Sequence, residues 1–194
     1  IAVLPFVNMS ADPEQEFFSD GLSEEILNLL AQIRDLKVIG RTSSFAFKGR
    51  NEDLRTIGHT LGVAHLLEGS VRKAGNDLRI TAQLIEVEGG SHLWSQSYDR
   101  KLENVFAIQS EIAGAIAGAL KATLTAGEKA RVDAVPTQNL QAWEAYQLGK
   151  QRMAKRTSVG LIEADKFFRQ AIGLDPAFAL AYAGLADSLT LRTE

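Results

Sequence analysis

The run Arg41-Thr42-Ser43-Ser44-Phe45-Ala46-Phe47-Lys48-Gly49-Arg50 holds the residue types that cradle a phosphate or another small anion. Its ligand-binding candidates are Arg41, Ser43, Ser44 and Lys48, two cations for charge and two hydroxyls for hydrogen bonds. A nucleotide P-loop needs Gly-Lys followed by Ser or Thr, whereas here Lys48 precedes Gly49. The competing reading packs Phe45 and Phe47 into a core and uses the hydroxyls in turns and caps. Asp12, Glu14, Glu16 and Asp20 invite a calcium loop, but Phe17 stands where its glycine belongs and Ser23 where its bidentate glutamate belongs. They read instead as a solvated acidic stretch, with Asp20 as the N-cap of the helix that follows. His59, His65 and His92 lack the i, i+4 spacing of a helical zinc pair, and none adjoins a serine nucleophile motif. The sequence has no Cys, which removes disulfides, thiolate catalysis and Cys-ligated zinc. No catalytic residue, metal or cofactor is therefore expected.

The totals narrow the partners. A net charge of −3 over 194 residues gives no general attraction to nucleic acid or to anionic membrane. No apolar run reaches the roughly 18–20 residues of a membrane span. The lack of Cys fits a reducing compartment, so a cytoplasmic location is expected. The chain opens on the apolar Ile1-Ala2-Val3-Leu4-Pro5-Phe6 and closes at Glu194 inside a helical pattern. A longer parent chain is expected on both sides.

These residues need elements to position them. Ile1 to Phe6 reads as a first strand, stopped by Pro5. Leu22, Ile26, Leu29, Leu30 and Ile33 mark a helix, and Leu36 to Ile39 a second strand, parallel to the first across a right-handed connection. Asn51 to Gly62 is a second helix with the stripe Leu54, Ile57 and Leu61. Val63 to Arg100 is a three-stranded meander, turning at Ala74-Gly75-Asn76-Asp77 and Glu88-Gly89-Gly90-Ser91. In its middle strand Leu78, Ile80, Ala82 and Leu84 alternate with Arg79, Thr81 and Gln83. That polar face, if uncovered, would serve a homodimer. In the last strand Trp94, Gln96 and Tyr98 share a face, either as a recognition platform or beneath a helix. Val105 to Leu124 is a third helix, whose Ala113, Gly114, Ala117 and Gly118 suit close packing on the sheet. Thr125 and Glu128 form a capping box that starts a short helix ending before Pro136. The expected architecture is an α/β mixed sheet of about five strands, in the order β-α-β-α-β-β-β-α, over residues 1–124. A linker with a short helix fills 125–138, and an all-α helical hairpin segment fills 139–194.

The tail carries Leu148 and Gly149, a basic loop at Lys155 and Arg156, then Ala164, Phe168, Ala171 and Pro176. This pattern resembles a tetratricopeptide (TPR) repeat, with Ala145 where the repeat prefers Trp. Small alanines sit where two helices cross, Phe168 fills the space between repeats, and Asp175-Pro176 ends the unit. Tyr182, Leu185, Ala186 and Leu189 fit the first helix of a following repeat. The resemblance implies an array continuing past Glu194, because such repeats are stable only when stacked. It also implies a groove for a protein or peptide partner, with Lys150, Arg152 and Tyr182 as candidates beside Leu148 and Leu185. The competing reading assigns Leu148, Tyr182 and Leu185 to inter-helix packing. Trp94 and Tyr98 complete the candidate partner-binding set.

The front half carries Ser19-Asp20-Gly21-Leu22, Arg41-Thr42-Ser43-Ser44-Phe45, Leu67-Glu68-Gly69-Ser70-Val71-Arg72, Arg79-Ile80-Thr81-Ala82-Gln83-Leu84 and Leu93-Trp94-Ser95-Gln96-Ser97-Tyr98-Asp99-Arg100. In order over residues 1 to 124, these blocks resemble the TolB-like amino-terminal domain. The resemblance implies a bacterial signalling protein in which TPR repeats follow this domain. In proteins of that family an effector usually stands in front, so the resemblance implies a class III adenylate/guanylate cyclase domain, a winged-helix DNA-binding domain or a protein kinase there. The expected function is a non-catalytic regulatory and protein-interaction segment behind a cyclase. The alternatives are a small-molecule sensor controlling that effector and the same module on a winged-helix transcription regulator.

Overall fold

A computed structural model describes residues 1–192; residues 193 and 194, and any repeat beyond Glu194, lie outside the described residues. The chain divides into two compact units, Ile1–Ala134 and Val135–Glu194.

The first unit is built on one mixed sheet. Its strands are β1 (Ala2–Val3), β2 (Val7–Asn8), β3 (His65–Ala74), β4 (Asp77–Glu86) and β5 (His92–Lys101). The order is β1-β3-β4-β5, with β2 also on β3. Strands β1 and β2 run parallel to β3, and the β3-β4-β5 meander is antiparallel. Gly75, at φ +58, occupies the first central position of the two-residue β3–β4 turn, where a side chain would be strained. This turn fixes the register, pairing Ala74 with Asp77.

Two strand expectations are corrected. The first strand is split, because Pro5 offers no N–H to the ladder. Leu4 N–H still donates to the Leu67 carbonyl at 2.8 Å, but Phe6 N–H leaves the sheet for Ser23 Oγ at 2.8 Å. Val3 faces Leu67 and Val7 faces Ser70, so the register slips by one residue across the break. Leu36 to Ile39 forms no strand. It is held to the first strand segment by Ile39 N–H to Ile1 O at 3.0 Å and by Ile1 N–H to Lys37 O at 2.8 Å. The parallel partner of β1 is instead β3, reached through α1 (Glu16–Ala31), α2 (Arg41–Phe45) and α3 (Leu54–Leu61).

Helix α1 starts upstream of Asp20, which lies inside it. A 3₁₀ turn at Pro13–Gln15 leads in, capped by Asp12 Oδ1 accepting from Glu14 N–H at 2.9 Å. Phe18, Leu22, Ile26 and Leu30 are buried along α1, as are Ile108, Ile112 and Ile116 along α4 (Val105–Ala119). These stripes lie in the core with the Leu67, Ile80, Leu84 and Tyr98 face of the sheet. The opposite face is covered at one end, where Ala2, Leu4, Ile57, Leu66 and Val87 form a second apolar cluster with Phe47 and Leu54. Toward the β3–β4 turn this face carries polar rows: Ser70-Thr81-Ser97 and Arg72-Arg79-Asp99.

Helix α4 stops at Ala119, short of Leu124. Lys121 turns left-handed at φ 55, and Ala122 N–H closes back on Ala117 O at 2.9 Å. Ala113 and Ala117 are buried, but a methyl group at Gly114 or Gly118 would meet nothing within 4 Å. The glycines therefore take no part in close packing on the sheet. Gly118→Ala should stabilise the first unit by up to about 1 kcal/mol, the helical advantage of alanine, measured by urea unfolding.

Helix α5 (Ala126–Val132) opens on the expected Thr125–Glu128 capping box. Glu128 also accepts from Arg34 N–H at 2.8 Å, tying α5 to the chain beyond α1. Hydrogen bonds from the Thr125 hydroxyl, Arg34 N–H and Thr125 N–H hold its carboxyl down to about 2, against an ordinary 4.5. A depressed carboxylate stabilises the fold above its unfolded value and loses that contribution as the pH falls through the folded one. Glu128→Gln should therefore melt below wild type at neutral pH. In a pH series of thermal melts, the gap should close between about 4.5 and about 2.

The second unit holds α6 (Leu140–Ala154), α7 (Ser158–Leu174) and α8 (Ala179–Leu191). Asn139 and Thr157 cap the first two, accepting from Ala142 N–H at 3.1 Å and Gly160 N–H at 3.0 Å. Asn139 Nδ2 donates to Leu174 O at 3.0 Å and Thr137 Oγ1 to Asp175 Oδ2 at 2.5 Å. The start of α6 thus meets the end of α7, an antiparallel hairpin. Phe168 is fully buried between Gly149 of α6 and Gly184 of α8. Asp165 on α7 receives Ser188 Oγ and Arg192 Nη1 from the α8 end.

Candidate functional site

The predicted anion-binding residues meet an acidic stripe. Glu16, Asp20 and Glu24 recur every four residues along α1, so they share one face. Lys48 bridges Glu16 at 2.8 Å and Asp20 at 2.5 Å. Arg41 pairs with Glu24 at 2.8 Å while its guanidinium lies 4.2 Å from the Phe45 ring centroid. Arg41, Ser43 and Ser44 belong to the short helix α2. Ser43 is exposed; Ser44 is buried, and its hydroxyl finds no partner, nor do Ser19 Oγ and Asp20 Oδ1 on α1.

Electrostatics divide this cluster. Burial pushes the Asp20 carboxyl above its ordinary value, outweighing its bond to Lys48. Burial also opposes the Lys48 ammonium, but bonds to Asp20 and Glu16 together outweigh it and hold its pKa up. The asymmetry follows from sharing: Lys48 has two carboxylates, and Asp20 shares one lysine. Beside this bridge a cleft of about 310 Å³ opens, lined by Phe6, Asn8, Ser10, Glu16, Lys48 and Gly49. The ion-paired Lys48 forms part of its wall. The sequence did not reveal Glu16, Asp20 and Glu24 as partners of the basic run, although their spacing of four was a usable signal.

The aromatic candidates separate. Tyr98 is 2% exposed, and burial raises its pKa, with Glu111 of α4 adding to the effect. Tyr98 therefore belongs to the core, which removes it as a recognition surface, and Trp94 alone of the two is partly exposed. In the second unit Tyr182 is exposed, Lys150 Nζ stands 5.4 Å from the Tyr146 ring centroid, and Arg152 Nε lies 3.5 Å from Glu163 Oε2. Leu148 and Leu185 are half-buried. Among the described residues no cluster of three His, Asp or Glu side chains is placed to hold a metal ion. No described helix is long and apolar enough to cross a membrane.

No family model matches the chain. Among solved structures, TolB from Acinetobacter baumannii is similar with a TM-score of 0.48 at 16% identity, over 61% of this chain and 27% of that one. Lipoprotein GNA1162 from Neisseria meningitidis is similar with a TM-score of 0.44 at 18% identity, over 64% of this chain and 97% of that one. In sequence, the chain is 42% identical over 186 residues, 96% of its length, to putative adenylate cyclase 3 of Rhizobium meliloti. It spans 32% of that protein, about a third of the length of the curated relative it matches.

Proposed function

We propose that this chain is a non-catalytic regulatory and protein-interaction segment of a bacterial signalling protein, lying C-terminal to an adenylate/guanylate cyclase effector domain. The observation that carries this reading is the 42% identity to a protein named as a putative adenylate cyclase, of which this chain matches a third. Such a match leaves room in the relative for a separate catalytic domain. In this reading the first unit is a TolB-like domain and α6, α7 and α8 are one TPR-type hairpin and the opening helix of the next. Phe168 between two glycines supports that assignment, because it is an inter-repeat filler of the expected kind. Lys150, Arg152 and Tyr182 would then face a protein or peptide partner, with Trp94 a further contact. A cytoplasmic location follows from the cyclase context.

One observation favours a second reading, a small-molecule sensor acting on the same effector. Of the anion-binding candidates Lys48 lines the cleft, together with the polar side chains of Asn8 and Ser10. A cyclase assay on the isolated chain, with ATP and GTP and either magnesium or manganese, tests the main proposal. No cyclic nucleotide above the buffer blank is expected. Turnover abolished by a substitution within this chain would overturn the non-catalytic assignment.

A further inference from the structure

At the β3–β4 turn, the sheet ends in a cavity of about 540 Å³ lined by Arg72, Asp77, Arg79, Asp99, Arg100 and Lys101. Arg72, Arg79 and Lys101 share the polar face there with Asp77 and Asp99, although the whole chain is acidic, with a net charge of −3. Asp99 holds Arg79 through two bonds, at 2.6 and 2.9 Å, and Asp77 holds Lys101 at 2.6 Å. Arg100 donates to a backbone carbonyl, that of Asp99, at 3.1 Å. Among the described residues no carboxylate pairs with Arg72, which stands directly opposite Arg79 on the neighbouring strand. Like charges at directly opposed positions destabilise a sheet. A local conflict of that kind is expected at a functional or strained site.

We propose that this cavity binds the phosphate group of a small solute through Arg72 and Arg79. Arg72, with no carboxylate partner among the described residues, leaves that face one positive charge in excess, which a phosphate oxygen can take up. Guanidinium forks suit phosphate oxygens. Asp99 keeps Arg79 oriented, and Asp77 draws Lys101 aside. The proposal is independent of the regulatory reading, because the cavity shares no lining residue with the Lys48 cleft.

The test is thermal unfolding of the chain near neutral pH in millimolar inorganic phosphate, against chloride at matched ionic strength. These concentrations lie below those at which phosphate stabilises proteins by exclusion from the surface. Phosphate should raise the melting temperature of wild type in a saturable way. Arg72→Gln should melt above wild type in chloride, since the opposed charges are gone, and bind phosphate about tenfold more weakly. Lys155→Gln, a change of one exposed cation elsewhere, should leave the phosphate response intact. Equal melting of wild type in phosphate and chloride overturns the proposal, as does an Arg72→Gln response equal to wild type. Sedimentation with phosphatidylglycerol vesicles separates the two sources of phosphate. Response to phosphate without vesicle binding assigns a free solute, and vesicle binding lost in Arg72→Gln assigns a lipid head group.

Discussion

Phe168→Ala should melt the helical second unit at the growth temperature of a mesophile while leaving the first unit folded. The ring is fully buried, and it contacts Tyr146 at a centroid distance of 5.8 Å. Removing a buried phenyl ring costs about 3–5 kcal/mol. A unit of this size has only about 3–9 kcal/mol of total stability at typical values per residue, so the loss takes most of it. The same geometry makes a reciprocal prediction. A methyl group at Gly149 would lie 2.7 Å from the Phe168 ring, and one at Gly184 2.6 Å from it. Gly149→Ala should therefore destabilise the wild-type unit, yet cost less in a Phe168→Leu background, where the ring is absent. Urea unfolding followed by circular dichroism reads both numbers. Additive costs in the double variant would contradict the packing described.

In the first unit, Gly69→Ala should cost about 1–3 kcal/mol, the range for overpacking a filled site. The new methyl group would lie 2.4 Å from the Thr81 carbonyl oxygen and 2.7 Å from the Phe6 ring. A backbone carbonyl within the ladder cannot rotate away. Phe6 is 2% exposed, and its N–H is held by Ser23 Oγ, which donates in turn to Ser19 O at 2.8 Å. Strain at Gly69 is therefore passed to the β1–β2 break and to α1. Thermal unfolding of Gly69→Ala should show the first unit melting early with the second unchanged. A loss below about 0.5 kcal/mol, the scale of an ordinary surface change, would show that the site has room to spare.

Much of this fold was legible because its signals are local. Gly75-Asn76 announced a tight turn, the alternation from Leu78 to Leu84 announced a half-buried strand, and Thr125 with Glu128 announced a helix start. The partner of β1 was not legible, since the choice between Ile39 and Leu66 depends on how three intervening helices pack. Lys121 hid the end of α4, because a left-handed lysine carries no glycine-like mark. Gly114 and Gly118 neighbour the buried Ala113 and Ala117, and a step of one residue around the helix separates core from solvent. The acidic stripe on α1 was visible, but its link to Arg41 and Lys48 spans a tertiary contact. Arg72 opposite Arg79 could have been found from sequence. Once the two-residue turn pairs Ala74 with Asp77, counting back along both strands brings the two arginines face to face.

The most direct test of the regulatory reading is cyclase activity in a full-length parent protein, measured with this segment intact, deleted, and carrying Phe168→Ala. Deletion should change the rate severalfold or abolish its response to the physiological stimulus, and Phe168→Ala should reproduce that change while the catalytic domain stays folded. Equal rates and equal responses in all three proteins would contradict a regulatory role for this chain.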